Sequence, residues 1–104
     1  MKYRERPRWG LSCDECRYIY SICQMFSRQD TAIQRQIKAV LDEVSSRGTA
    51  SESDAVRRRQ ALWRCLSTKD EQVRVAADFF MDQSTLSRLV REFYRGYALR
   101  YLRN

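Results

Sequence analysis

Apolar residues recur along most of this chain at intervals of three and four, a spacing that places them on one face of an α-helix. Only 1 Pro and 3 Gly occur among 104 residues, so few positions interrupt such helices. No stretch of useful length alternates between apolar and polar residues, as a half-buried strand would. The sequence therefore predicts an all-α fold, and its length is suited to a single domain.

About five helices are expected, arranged as an N-terminal pair and a C-terminal unit. Ser12 and Glu15 have the spacing of a capping box, in which each side chain bonds the other residue's backbone N–H. Thr68 and Glu71 repeat that spacing before the fourth helix. The predicted segments are a basic arm (1–12), a helical pair (13–44), a linker (45–53) and a helix-turn-helix unit (54–104). The expected helices cover roughly 13–26, 31–44, 54–66, 68–79 and 82–101.

Positive charge is concentrated at the two ends of the chain. The formal net charge is +7, of which residues 1–8 contribute +3 and residues 84–104 contribute +4, leaving the middle neutral. All basic residues except Lys2, Lys38 and Lys69 are arginines, whose planar guanidinium matches phosphates and guanine edges. This distribution favours a nucleic-acid partner over an ordinary solvated basic surface, which stays the alternative.

The absence of histidine removes most catalytic and metal-binding possibilities. Ser-His-Asp and Cys-His nucleophiles, histidine bases and zinc sites with imidazole ligands are all excluded. We therefore expect no enzyme, no catalytic residue and no cofactor. No apolar run is long enough to cross a membrane, and the charged residues 1–11 lack the apolar core of a secretory signal, so we expect a cytoplasmic protein.

Four cysteines, Cys13, Cys16, Cys23 and Cys65, raise the question of a zinc site. The first two have C-x-x-C spacing, but the other two do not repeat it. Because the first three share one helical face, we expect them to be packing residues. Metal binding and redox chemistry stay open as alternatives.

Residues 73–93 have the pattern of a helix-turn-helix. The first helix needs a small residue where the two backbones cross, and Ala76 and Ala77 supply it. The second helix needs two apolar residues three apart on its inner side, and Leu86 and Leu89 have that spacing.

The turn between the two helices departs from the usual pattern at one position. Such turns usually have glycine where Phe80 stands, because the backbone there is often left-handed. A bulky residue in that conformation costs about 1 kcal/mol or more. Either the turn is of another type, or the two helices cross differently and only resemble the motif. The remaining alternative is that Phe79 and Phe80 are core aromatics that join two ordinary packed helices.

The polar side of the second helix carries the residues that we expect to contact DNA. The amide of Gln83 can pair with adenine, and the guanidinium of Arg88 matches O6 and N7 of guanine. Phosphate oxygens are the expected partners of Ser84, Thr85, Arg91 and Arg95. The predicted DNA-binding set is Gln83, Ser84, Thr85, Ser87, Arg88, Arg91 and Arg95.

The segment MDQSTLSRLVREF resembles the recognition-helix signature of bacterial helix-turn-helix regulators. Residues 63–102 more loosely resemble the sigma-region-four-like regulators of phage late transcription, the ArpU/RinA type. This resemblance implies a small DNA-binding regulator encoded by a phage or another mobile element.

We therefore expect a sequence-specific regulator that binds double-stranded DNA. A homodimer is the default, because one recognition helix of this size rarely reads enough bases. The helical pair then mediates oligomerisation or contacts a protein such as RNA polymerase, or it completes the monomer core. Lys2–Arg8 either follows the DNA or has no partner. The alternative function is a protein-binding adaptor or an anti-CRISPR-like inhibitor, which would show little duplex affinity at moderate salt.

Overall fold

The computed structural model describes residues 9–103 and confirms the all-α fold. Its five α-helices are α1 (Cys13–Gln24), α2 (Thr31–Ser46), α3 (Glu52–Ser67), α4 (Gln72–Asp78) and α5 (Gln83–Tyr97). A short 3₁₀ helix, Phe26–Arg28, follows α1, and a π-helical turn, Ala98–Leu102, extends α5. Most of the predicted basic arm, residues 1–8, lies outside the described part of the chain.

One hydrophobic core is shared by both halves of the chain. Helix α2 packs against α3 and α5, α4 packs against α3 and α5, and α1 packs against α3. The apolar stripes of α1 and α2 are buried in this core through Ile19, Ile22, Cys23, Ile37, Val40, Leu41 and Val44. These stripes therefore complete the core of the monomer, which is one of the three roles expected for the helical pair.

One of the two predicted capping boxes forms. At the start of α1, Ser12 accepts from the N–H of Glu15 at 3.1 Å, and the carboxylate of Glu15 accepts from the N–H of Ser12 at 2.9 Å. The prediction for Thr68 and Glu71 is wrong. The hydroxyl of Thr68 donates to the carbonyl of Arg64 at 2.6 Å, so it serves the end of α3, and α4 begins only after Glu71.

The linker is shorter than the predicted 45–53, because both flanking helices are longer than expected. Ser45 is only 1% exposed and belongs to the buried face of α2. Ser51 caps α3 by accepting from the N–H of Asp54 at 3.2 Å. Gly48, with a φ of 78°, makes a left-handed turn between the two helices.

Candidate nucleic-acid interface

Helices α4 and α5 pack against each other, and only one of the two predicted small residues is buried. Ala76 is only 3% exposed, whereas Ala77 lies on the exposed side of α4. Leu86 and Leu89 are fully buried on the inner face of α5. The structure therefore places the two apolar residues inward, as a helix-turn-helix requires.

The turn after α4 is a Schellman motif with Phe80 at the position usually occupied by glycine. The N–H of Met81 donates to the carbonyl of Ala76 at 2.9 Å, and the N–H of Phe80 donates to that of Ala77 at 3.2 Å. Phe80 adopts the left-handed conformation, with a φ of 53°, and its side chain is 88% exposed. The alternative that Phe80 is a core aromatic is therefore wrong, whereas Phe79 packs partly against the core.

An exposed polar strip runs along the outer side of α5, opposite the buried leucines. We call it the α5 strip and define it as Ser84, Arg88, Arg91 and Arg95, which are all exposed. It extends about 16 Å at the helical rise per residue. Of the other predicted site residues, Gln83 is exposed at the start of α5, whereas Thr85 and Ser87 are half-buried.

The arginines of the α5 strip differ in how far their charge is neutralised. Arg88 has one long ion pair, with 3.8 Å between its Nη1 and Oε2 of Glu92. Arg91 and Arg95 make no ion pair with any residue in the range 9–103. Their two guanidinium groups are therefore available to an external anion, and Arg88 is available at a small cost.

The other two arginines at the carboxyl end serve the fold. Arg100 pairs with Glu43 of α2, and Arg103 pairs with Glu15 of α1. The positive charge of residues 84–104 is therefore only partly available for binding, and the available part is on the α5 strip.

Ser87 holds the two helices of the motif together. Its hydroxyl donates to Oε1 of Gln72 at 2.7 Å, which ties the first residue of α4 to the second turn of α5. Gln72 was not among the predicted site residues, although it lies four residues before Ala76 and so shares its helical face.

Asp82 places a negative charge at the amino end of α5. It occupies the N-cap position, makes no capping bond with its side chain and is exposed. A carboxylate there stabilises the helix through its dipole but repels a phosphate. Electrostatics therefore favour Arg91 and Arg95 over the helix terminus as phosphate contacts.

Trp9, which sequence reasoning did not connect with the site, lies beside the α5 strip. Its ring packs edge-on against that of Tyr94, with 5.2 Å between the centroids. A polar cavity of about 410 Å³ is lined by Trp9, Gln72, Ser84, Ser87, Arg88 and Arg91. The described chain therefore begins next to the predicted DNA-contacting residues. No local sequence signal indicates this contact, because 85 positions separate the two rings.

None of the four cysteines lines the cavity beside the α5 strip. Cys23 is buried in the core, and burial raises the pKa of its thiol to about 12. Burial also raises the pKa of Cys65 to about 11, and this residue lines an apolar cavity together with Cys16. None of the four cysteines forms a disulfide bond with a described residue, and residues 9–103 contain no group of three or more His, Cys, Asp or Glu side chains placed to bind a metal.

No protein-family model, curated protein or solved structure matches this chain. Across residues 9–103, none of the helices combines the length and apolar character that a bilayer crossing requires. The candidate site is thus defined by the geometry of α4, the turn and α5.

Proposed function

We propose that this chain is a sequence-specific, double-stranded DNA-binding transcriptional regulator that acts in the cytoplasm and is encoded by a phage or mobile element. The observation that carries the proposal is the α5 strip, whose four residues are exposed in the described part of the chain, on the side of the helix opposite Leu86 and Leu89. A major groove about 12 Å wide admits an α-helix presented in this way.

Within this proposal, different residues contact bases and phosphates. Gln83 and Arg88 lie toward the amino end of α5 and reach base edges, adenine and guanine respectively. Arg91 and Arg95 lie further along the helix, have no ion pair with a residue of the range 9–103 and bind phosphates. Ser87 contributes mainly through its bond to Gln72, which fixes the angle at which α5 is presented.

The proposal includes a homodimer that reads a symmetric site. The buried stripes of α1 and α2 are unavailable for pairing, so a dimer uses apolar residues elsewhere, such as Leu99, which is 59% exposed. Contact with RNA polymerase would likewise use a surface outside those stripes.

The direct test is a mobility-shift titration on a duplex selected from a random pool. We expect R88A and Q83A to weaken specific binding at least tenfold while leaving the thermal unfolding midpoint unchanged. The matched controls are R35A and Q60A, because both residues are exposed on helices other than α5. Equal binding by all four variants would refute the assignment.

The adaptor alternative is favoured by one observation. Val73 (53% exposed) and Ala77 lie four residues apart on the outer side of α4, and Phe80 (88% exposed) is an exposed apolar residue in the turn that follows. A protein partner would cover such an apolar surface. The salt dependence of duplex binding distinguishes the two functions. The affinity of a DNA-binding protein for duplex falls steeply with ionic strength, whereas an adaptor would show little duplex affinity at moderate salt.

A further inference from the structure

The carboxylate of Glu92 faces a different guanidinium with each of its two oxygens. Its Oε2 lies 3.8 Å from Nη1 of Arg88, one helical turn earlier on α5. Its Oε1 lies 3.8 Å from Nη1 of Arg47, the residue that ends α2. The side chain of Glu92 is 25% exposed, whereas those of the two arginines are 45% and 55% exposed. Glu92 therefore borders the α5 strip and is shared between Arg88 and the end of α2.

A chain of ion pairs holds this carboxylate from the side of α2. Arg47 also pairs with Glu43 at 3.1 Å, and Glu43 pairs in turn with Arg100 of the π-helical turn. These residues line a cavity of about 540 Å³ together with Glu92 and with Arg95 of the α5 strip. The fold thus places a tethered negative charge beside the arginines that we propose to contact DNA.

A carboxylate in this place acts differently on the two kinds of DNA group that Arg88 can bind. A phosphate bound to Arg88 carries a negative charge close to Glu92, and the two anions repel each other. The O6 and N7 atoms of guanine are acceptors on a neutral base, so the same repulsion does not arise. Glu92 therefore disfavours a phosphate contact by Arg88 more than it disfavours a guanine contact.

We infer that Glu92 is a specificity-determining residue, which keeps Arg88 from binding phosphates and so reserves it for guanine. This inference rests on the proposed function. Glu92 acts through Arg88 and is therefore a positioning residue. Binding to random duplex comes almost entirely from phosphate contacts, so the effect of Glu92 falls mainly on random duplex.

The test is E92Q, which removes the charge and nearly preserves the shape of the side chain. Binding to random duplex and to the duplex selected by the native chain is measured at several salt concentrations. For random duplex, we expect E92Q to raise the affinity about fivefold at low salt. We also expect it to steepen the log–log salt slope by about 1, because Arg88 then neutralises a phosphate. For the selected duplex, the slope stays unchanged, so the ratio of specific to random affinity falls.

Two controls distinguish this effect from a general gain of positive charge. E52Q changes the net charge equally, and Glu52 is exposed in the first turn of α3 and has no ion pair with any residue in the range 9–103. We expect E52Q to leave the ratio of the two affinities unchanged. In the R88A background, we expect E92Q to have no effect on random duplex, because the arginine that it releases is absent. All variants are compared at a temperature where thermal unfolding shows them to be folded.

The outcomes separate this inference from the proposed function. If the native chain binds no duplex, the proposed function fails and the inference fails with it. If R88A weakens binding to the selected duplex but E92Q behaves like E52Q, the inference is overturned and the proposed function stands. An effect of E92Q that persists in the R88A background would also overturn the inference, as would an equal change in affinity for both duplexes.

Discussion

The guanidinium of Arg103 donates to both carboxylate oxygens of Glu15 at 2.7 Å, across 88 positions of sequence. The same guanidinium bonds the carbonyl of Gly10. One side chain near the carboxyl end thus fixes both the first turn of α1 and the residue after Trp9. The packing of Trp9 beside the α5 strip therefore depends in part on this ion pair.

The ion pair makes stability depend on pH in the acid range. The hydrogen bond from Arg103, aided by the N–H of Ser12, lowers the pKa of Glu15 to about 2. A lowered carboxyl pKa contributes stability that is complete above the ordinary value of about 4.3 and is lost as pH falls toward 2. Urea unfolding at pH 5 and at pH 2.5, roughly the interval between the two pKa values, measures this loss of stability. We expect the loss to be smaller in E15Q than in the native chain. The same loss in both proteins would contradict this role for Glu15.

Replacing Phe80 with glycine is expected to stabilise the protein by about 1 kcal/mol, because glycine adopts the left-handed conformation without strain. The side chain is 88% exposed, so few contacts are lost. F80A is the control, since its Cβ keeps the strain. Chemical unfolding at neutral pH measures both variants, and an F80G protein no more stable than F80A would show that Phe80 is not strained.

Ser45 is a buried hydroxyl that lowers stability. Its side chain is 1% exposed, and its Oγ has no hydrogen-bond partner among the described residues. We expect S45A to raise the free energy of unfolding by about 1 kcal/mol, because the cost of desolvating the hydroxyl disappears. The control variant is S46A, because the exposed Oγ of Ser46 has a partner: it donates to the carbonyl of Asp42 at 2.8 Å. A destabilised S45A would mean that the hydroxyl has a partner in solution.

The bond between Ser87 and Gln72 is expected to couple α4 to α5. A double-mutant cycle of Q72A and S87A should give an interaction energy of about 1 kcal/mol in chemical unfolding. Additive effects of the two substitutions would show that the bond does not contribute. S84A serves as the control for S87A, because Ser84 is exposed on the same helix.

Local signals in the sequence predict much of this fold. The capping box at Ser12 and the inward pair Leu86 and Leu89 both involve residues within a few positions of one another. The left-handed conformation of Phe80 was not predicted, because the strain of a bulky residue there favoured another kind of turn. Contacts between distant residues were not predictable in this way. The spacing of Thr68 and Glu71 predicts a helix start, whereas the hydroxyl of Thr68 bonds the last turn of α3. The position at which α3 ends decides between the two, and local spacing does not determine it.

Long-range contacts also changed the candidate site. Arg100 and Arg103 carry the same charge as Arg91 and Arg95. Only the fold shows that Arg100 pairs with an acid on α2 and that Arg103 pairs with an acid on α1. The packing of Trp9 against Tyr94 joins residues that no periodicity relates. Charge counting therefore could not tell the arginines that pair with acids on other helices from those that have no ion pair with residues 9–103.

The central claim is that the α5 strip enters a DNA groove. Its most direct test is selection from a random duplex pool with the native chain and with R88A/R91A, each shown to be folded by its thermal unfolding midpoint. We expect the native chain to enrich a symmetric sequence and the double variant to enrich none. A native chain that enriches no sequence, or a double variant that selects the same one, would contradict the claim.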